Sequence, residues 1–299
     1  MNIEQNELAL EVSNLHQWFG NNKVLNDIDL KISKGEIVAL VGPSGCGKTT
    51  LFNAILGTEP AKSGTILVNN KPHIGLSRDV GIVYQNYLLA PFLTARQNIA
   101  LGLKLDRTNL PFRFFRKIQW KKMEKDHLAQ AQEMLERVGL EDKGDLLPSQ
   151  LSGGQRQRVA IAQALIMKPK LLLMDEPFGA VDAQTRESLQ DWLLELFHLG
   201  EQTILIVTHE LHEAIVVSSR VLGLSQYHSD GKNGSTIVYD KAAPIFYPEF
   251  DREIVEFSHQ EEELRRVVFN SESINNDRDA HVSYWQEKQR GINEQANSK

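Results

Sequence analysis

Polar and apolar side chains alternate along the first part of the chain. The alternation runs from Leu8 to Ile32 around a turn at Gly20-Asn21-Asn22, which predicts antiparallel β structure with one exposed face. Ser63–Lys71 continues the pattern and predicts a further hairpin segment. An antiparallel β region is therefore expected at the start of the fold.

Short continuous apolar runs replace the alternation further along. Ile37–Val41, Leu171–Met174 and Thr203–Val207 are typical of strands that are buried on both faces. Helical spacing over Thr185–Leu199 places a helix between the last two runs. Strands that alternate with helices indicate a parallel sheet, and hence an α/β fold.

Helical periodicity dominates between about Asn86 and Met167. We interpret this region, residues 86–167, as an inserted helical subdomain within an α/β domain spanning residues 8–225. Residues 226–299 form a predicted C-terminal extension, with an amphipathic helix over Ile254–Val268. The polar stretch Asn270–Lys299 is expected to be a mobile or partner-ordered tail.

Composition narrows the classes of protein. The 299 residues are 41% hydrophobic with a net charge of -6, which argues against a nucleic-acid binder. A single cysteine, Cys46, excludes an internal disulfide and a cysteine zinc site. The start of the chain lacks the features of a signal peptide, and no apolar run is long enough to span a bilayer. We expect a soluble cytosolic protein whose link to a membrane, if any, comes through a partner.

A glycine-rich loop directly follows the first buried run and precedes a helix predicted at Thr49–Leu56. It fits G-x-x-x-x-G-K-[ST], whose glycines let backbone amides surround phosphate oxygens at a helix N-terminus. Lys48 should reach the β- and γ-phosphates, Thr49 should bind Mg²⁺, and Cys46 is a small filler. The phosphate-binding candidates are Gly42, Pro43, Ser44, Gly45, Cys46, Gly47, Lys48, Thr49 and Thr50.

A pair of carboxylates ends the apolar run at Leu171–Met174. Asp175 suits Mg²⁺, which prefers hard oxygen ligands. Glu176 is then the candidate general base that polarises the attacking water. Such a run by itself is as typical of a strand entering a loop, but with the glycine-rich loop it predicts nucleotide hydrolysis.

A second anion-binding surface stands at Leu151–Gln155, before a helix predicted at Arg156–Leu165. The Ser152 hydroxyl and the amides of Gly153 and Gly154 are its donors. One ATP cannot easily use two such surfaces of one subunit. The economical explanation is that this surface faces a nucleotide held by another copy.

Together these motifs resemble the ATP-binding cassette (ABC) family, in order, from about Glu11 to Leu224. GPSGCGKTT matches the Walker A loop, LSGGQ the signature and LLLMDEP the Walker B motif. The resemblance implies a P-loop NTPase (RecA-like) core with an antiparallel β subdomain and an inserted helical subdomain. It also implies ATP and Mg²⁺ as cofactors and a head-to-tail homodimer that closes over ATP.

The resemblance assigns roles to further positions. Gln85 stands at the Q-loop, where it would touch Mg²⁺, and His209 at the switch that contacts the γ-phosphate. Asp182 lies in the D-loop and is equally a candidate helix cap. Phe19 stands at the aromatic that stacks on adenine; Trp18 is a rival, and we favour Phe19 because alternation groups it with Leu15 rather than Gln17. The catalytic set is Lys48, Gln85, Glu176 and His209; the nucleotide contacts of the signature are Ser152, Gly153, Gly154 and Gln155.

Residues 85–100 are similar to importer subunits that serve nitrate, sulfonate or taurine. Those usually carry Leu-Leu-Pro-Trp-Leu-Thr, where this chain has Ala90-Pro91-Phe92. We therefore predict an ATPase that powers import of a small, anionic solute at the cytoplasmic face of the inner membrane. Its expected partners are polytopic permease subunits and a solute-binding protein. A soluble ABC-type switch and an exporter with separate membrane chains remain alternatives.

Leu105–Lys125 departs from a minimal cassette because it is rich in Arg, Lys and aromatic residues. It would contact the membrane face or an acidic partner loop. Alternatively, it is a solvated helix whose aromatic side chains pack on the helical subdomain.

Overall fold

The computed structural model describes residues 8–106, 117–198, 202–226, 233–243 and 255–269. The chain divides into two compact units: unit 1 runs to Ser77 and resumes at Gly200, and unit 2 spans Arg78–Leu199. The strands are β1 (Leu8–Phe19), β2 (Asn22–Ser33), β3 (Ile37–Val41), β4 (Ser63–Val68), β5 (Lys71–Pro72), β6 (Val80–Val83), β7 (Leu171–Asp175), β8 (Thr203–Val207), β9 (Arg220–Ser225) and β10 (Thr236–Ala242). The helices are α1 (Lys48–Leu56), α2 (Ala95–Asp106), α3 (Lys117–Arg137), α4 (Gly153–Leu165), α5 (Ala183–His198), α6 (Leu211–Val217) and α7 (Val255–Leu264).

Unit 1 contains the antiparallel β region. Its four strands lie in the order β2-β1-β4-β5. The register of β1 against β2 shifts between Leu15 and Gln17 and again between Gln17 and Trp18. Such bulges twist a strand and re-aim its side chains. The aromatic residues at the end of β1 directly follow these bulges.

Unit 1 also contains a parallel group of strands. β3 pairs in parallel with β8 and β9. The three strands are almost wholly buried, as the apolar runs of β3 and β8 predict. β3 runs directly into the glycine-rich loop, and β8 ends two residues before His209.

The C-terminal elements belong to the same core. β10 pairs antiparallel with β9, and α7 contributes Phe257 and Leu264 to a cluster with Leu211 and Ile215 of α6. A short π-helical turn, Arg265–Phe269, follows α7. Arg220, 1% exposed, makes a paired contact with Asp240 at 2.6 and 2.7 Å that fixes β10.

Unit 2 combines two parallel strands with four helices among its described residues. β6 pairs in parallel with β7. 3₁₀ turns at Glu141–Lys143 and Pro148–Gln150 link α3 to α4. The buried Asn98 of α2 bonds through Nδ2 to the carbonyls of Ala90, Leu93 and Thr94 and accepts from the Ala90 amide. This one amide therefore holds the loop before α2.

The structure confirms the predicted α/β class with an antiparallel region and a helical stretch, and its helix and strand bounds follow the predicted segments closely. The sequence reading missed β10 and the short helix α6. Within the described residues, no helix has the length and apolar character needed to cross a membrane. The predicted tail at 270–299 and residues 107–116 of the basic, aromatic stretch lie outside the described residues.

Candidate functional site

The glycine-rich loop of unit 1 is shaped by close backbone approaches. A Cβ on Gly42 would lie 2.2 Å from the carbonyl oxygen of Leu224, and one on Gly47 would lie 2.9 Å from side-chain atoms of Val24 and Leu25. Gly45 and Gly47 have φ values of 79° and 96°, in the left-handed region that favours glycine. Glycine is therefore required both by packing and by backbone conformation.

The loop leaves its outer side open. Ser44, Gly45 and Thr49 are exposed, and Gly47 caps α1 without any side-chain hydrogen bond. Lys48 folds back over the loop, so that Nζ donates to the carbonyl oxygens of Gly42 at 2.6 Å and Pro43 at 3.0 Å. An uncapped helix N-terminus beside an ammonium group is a fit for phosphate oxygens. The residues present thus suit a nucleoside triphosphate.

Cys46 is the inward-facing member of the loop. It is 1% exposed, and its Sγ lies 2.7 Å from the position a Cβ would take on Gly42. Burial raises the pKa of its thiol, while nearby Lys48 acts in the opposite direction. The neutral, buried thiol fills space in the loop, as the filler interpretation predicts.

The aromatic residues at the end of β1 do not follow the alternation of buried and exposed side chains that the sequence predicts. Leu15 and Gln17 are both buried, whereas Trp18 is 39% and Phe19 47% exposed. Alternation was therefore the wrong reason to prefer Phe19, because the register shifts around Gln17 interrupt the pattern. Both rings line one open pocket of about 570 Å³, together with Gln17, Gly20, Thr58, Glu59, Pro60 and Lys62. Phe19 remains the candidate by its position in the motif.

His209 lies in the short connection between β8 and α6 and is exposed. The neighbouring Thr208 is buried; its hydroxyl donates to the carboxylate of Glu213 and accepts from the Glu210 amide at 3.1 Å. Thr208 and Glu213 thus fix the backbone on either side of His209. Sequence reasoning missed both.

Unit 2 holds the candidate carboxylates at the carboxyl end of β7. Asp175 is the last residue of the strand, and Glu176 follows with a φ of 45°. Nε2 of Gln85 donates to Oε2 of Glu176 at 3.1 Å. The amide of Gly179 donates to the Glu176 carbonyl at 3.1 Å and closes the turn. Gln85 and Glu176, far apart in sequence, are therefore brought together, and the Glu176 backbone is strained as in many functional residues.

The signature segment forms the N-terminus of α4 and is capped by its own side chains. The Gln155 amide donates to the Ser152 hydroxyl at 3.2 Å, and the Ser152 amide donates to Oε1 of Gln155 at 2.9 Å. This reciprocal pair is a capping box. The Gln155 side chain, predicted to contact nucleotide, is engaged in the cap. Ser152 is exposed, and Gly153 is half-buried.

Asp182 caps the N-terminus of α5, which is the second of the two roles predicted for this residue. Its carboxylate accepts from the Thr185 amide at 3.0 Å and the Thr185 hydroxyl at 2.7 Å. These hydrogen bonds lower the pKa of the Asp182 carboxyl. The adjoining Val181 packs on the signature, since its Cγ1 lies 3.2 Å from the Cβ position of Gly153.

A family model described as ABC transporter matches residues 25–179, a span that begins on β2 and ends just beyond Glu176. The chain belongs to the ABC transporter family. This confirms the predicted resemblance, and with it an ATPase that uses ATP and Mg²⁺. Among the relatives is the sulfate/thiosulfate import ATP-binding protein CysA of Pectobacterium atrosepticum, 39% identical over 246 residues, 81% of this chain and 72% of the relative. CysA of a Synechocystis species is 36% identical over 272 residues, 90% and 73% of the two chains.

Solved structures of ABC proteins share the fold. The cbiO1 protein of Clostridium perfringens, part of the ABC transporter complex cbiONQ, has a TM-score of 0.64 at 26% identity and covers 80% of this ABC chain and 89% of its own. A dimeric ATP-binding cassette in a post-hydrolysis state, bound to ADP and Pi, has a TM-score of 0.61 at 29% identity, with 79% and 100% coverage.

Proposed function

We propose that this chain is the ATP-hydrolysing subunit of an importer for a small anionic solute. Its similarity to the sulfate/thiosulfate import proteins supports both the direction of transport and the class of solute. Those relatives give no support to the soluble switch or the exporter as alternatives. The observation that carries the proposal is the open glycine-rich loop, with its uncapped helix N-terminus and the Lys48 ammonium group beside it.

We assign the phosphate contacts to Lys48 and to the amides of residues 42–50, with Phe19 stacking on the adenine. In the glycine-rich loop, the Lys48 ammonium donates hydrogen bonds to backbone carbonyl oxygens at 2.6 and 3.0 Å. Phosphate oxygens are stronger acceptors for an ammonium than carbonyls, because the bond is charge-assisted on both sides. Binding therefore exchanges weak acceptors for strong ones.

The hydrolytic roles fall to the groups around Glu176. Its carboxylate accepts the proton of the attacking water, and the amide of Gln85 orients that carboxylate through the 3.1 Å hydrogen bond. His209 contacts the γ-phosphate from its fixed turn. The Thr49 hydroxyl, Asp175 and Gln85 would hold Mg²⁺, which supplies a positive charge against the phosphate oxygens.

The signature segment serves a second copy of the chain. Ser152 keeps its hydroxyl proton available, because its oxygen accepts within the cap. Gly153 and Gly154 add backbone amides, and Asp182 positions the neighbouring loop. ATP held by one copy is thereby contacted by the other, so ATP binding stabilises a head-to-tail dimer by linkage.

We propose residues 8–225 as the ATP-binding domain, with its helical part at 86–167, and 226–299 as an extension. The chain associates peripherally with the cytoplasmic face of the inner membrane through permease subunits, which contact residues 85–94. A solute-binding protein completes the complex. Phe92, 78% exposed, and Leu88, 63% exposed, supply apolar area for the permease contact.

The decisive test is Glu176→Gln in the full chain. ATP binding should survive, hydrolysis should fall roughly 10²- to 10⁴-fold, and an ATP-dependent dimer should accumulate. Phosphate release and sedimentation velocity measure the two effects. Retained turnover would exclude Glu176 as the general base.

The transport role is tested with the permease subunits reconstituted in vesicles. We expect ATP-dependent uptake of labelled sulfate, thiosulfate or an organic sulfonate, and none with Glu176→Gln. Uptake confined to neutral solutes would contradict the solute class.

A further inference from the structure

Tyr87 lies two residues beyond Gln85 in an uncommon backbone conformation. Its φ is 55°, and that of the following Leu88 is 46°. Two consecutive non-glycine residues in the left-handed region are rarely observed. The turn is closed by the Tyr87 amide, which donates to the carbonyl of Tyr84 at 3.1 Å. Such a turn persists only where surrounding contacts hold it.

The Tyr87 ring contacts the signature helix through Arg156. The guanidinium carbon lies 5.7 Å from the ring centroid, in the range of a cation–π contact. Nη1 of the same guanidinium donates to the carbonyl oxygen of Leu151 at 2.9 Å. Leu151 immediately precedes Ser152, so Arg156 ties the beginning of the signature to the ring.

The Tyr87 hydroxyl reaches a third segment. Its oxygen lies 3.5 Å from the carbonyl oxygen of Ala180, to which it donates a long hydrogen bond. Ala180 precedes Val181, the residue packed against Gly153. The segments that carry Gln85, Ser152 and Asp182 therefore meet at one half-buried side chain.

We propose that Tyr87 is a positioning residue: through Arg156 it holds the signature segment in the geometry needed to contact the nucleotide of a second copy. Tyr87 touches no nucleotide itself. The inference rests on the proposed ATP-dependent dimer. It extends that proposal by naming the side chain that links the segment proposed to contact the permease with the dimer interface.

The test uses the full chain carrying Glu176→Gln, in which ATP accumulates the dimer. Tyr87→Leu removes the ring and the hydroxyl, whereas Tyr87→Phe keeps the ring over Arg156. We expect Tyr87→Leu to raise the ATP concentration for half-maximal dimerisation roughly three- to tenfold, because each dimer contains two such contacts. Tyr87→Phe should restore most of the loss. Sedimentation velocity over an ATP titration gives the values.

A second readout separates positioning from general damage. The affinity of the monomer for a fluorescent ADP analogue should be unchanged in Tyr87→Leu. An equal loss of ADP affinity, an unchanged ATP titration, or a Tyr87→Phe variant as weak as Tyr87→Leu would each overturn the inference. Absence of any ATP-dependent dimer in Glu176→Gln alone would overturn the proposed dimer, and the inference with it.

A matched control lies on the same helix. Arg158 stands 4.8 Å from the Trp192 ring centroid, a closer cation–π pair without a contact to Leu151 or Ala180 among the described residues. Trp192→Leu in the same background should lower Tm and leave the ATP titration unchanged. A shift equal to that of Tyr87→Leu would mean that any loss of packing weakens the dimer, and would overturn the inference.

Discussion

Two helices of this chain have glycine-containing motifs at their N-termini, and these N-termini are closed in different ways. Before α1, Gly47 provides no side-chain cap, and the neighbouring Ser44 and Thr49 are exposed. Before α4, Ser152 and Gln155 cap each other at 3.2 and 2.9 Å. The first loop keeps its donors for a ligand, while the second satisfies part of its donors internally.

The difference is consistent with the roles that we propose, nucleotide binding for the first segment and contact with the nucleotide of a second copy for the other. An uncapped N-terminus lacks hydrogen bonds that an anion can supply, so phosphate binding there is strongly favourable. A capped N-terminus is already stable without a ligand. It gains less from an anion and suits a nucleotide that is already held by another copy.

The largest effect is expected for Lys48→Ala. Loss of the charge-assisted bonds should weaken ATP binding to the monomer roughly 10- to 100-fold. Isothermal titration measures it, and Lys71→Ala, a change to an exposed lysine of β5, serves as the control. If Lys48→Ala keeps full affinity for ATP, the glycine-rich loop does not bind phosphate in the way proposed, and the contrast with the signature is lost.

Gly153→Ala should impair the signature segment and leave the glycine-rich loop before α1 intact. The new Cβ would lie 3.2 Å from Cγ1 of Val181 and would displace the signature slightly. We expect unchanged nucleotide affinity of the monomer and a roughly tenfold loss of dimer-dependent hydrolysis. Gly139→Ala is a control for strain: the φ of Gly139 is positive, at 66°, whereas that of Gly153 is not, and its Cβ would lie 3.4 Å from Nη1 of Arg158. Equal losses in both variants would mean that general strain in unit 2, and not the displaced signature, lowers hydrolysis.

Substitutions of Gln155 test whether its side chain caps α4 or contacts the nucleotide. Gln155→Ala should lower stability by about 1 kcal/mol, because half of the capping box is lost. Gln155→Glu preserves the box and should keep Tm, measured by circular dichroism. If Gln155→Glu nevertheless abolishes the ATP-dependent dimer, the added negative charge lies beside the partner's nucleotide.

The smallest effect concerns Asp182. Because hydrogen bonds from Thr185 lower its folded-state pKa, its contribution to stability is present above the unfolded value, about 3.9, and is lost as the pH falls through the folded value. Asp182→Ala should therefore lower Tm slightly at pH 7 and leave it unchanged near pH 2. A Tm difference that persists at low pH would show that the carboxylate charge is not the cause.

Features that depend on local sequence were predictable. The buried strands β3, β7 and β8 follow from unbroken apolar runs, and the glycine-rich loop follows from its spacing and flanks. β10 was missed because its place depends on a distant buried pair, Arg220 and Asp240. The contact between Gln85 and Glu176 likewise joins residues 91 positions apart.

One feature that sequence reasoning missed had a signal that was present. Ser152 and Gln155 have the spacing of a capping box, so the cap could have been predicted from sequence. Bulges in β1 leave no comparable trace, and the exposure of Trp18 followed only from the structure. Tyr87 and Arg156 were not singled out, because their contacts depend on the folding of the helical stretch.

The position of Cys46 allows the natural chain to be labelled at a single thiol. It is the only cysteine in the sequence, and it lies buried beneath Gly42. A maleimide dye can therefore attach only when the loop opens, and its rate of attachment reports the opening equilibrium. The rate at which a thiol reagent modifies Cys46 therefore measures how often the loop opens. We expect bound nucleotide to slow this reaction, and the measurement needs no engineered cysteine.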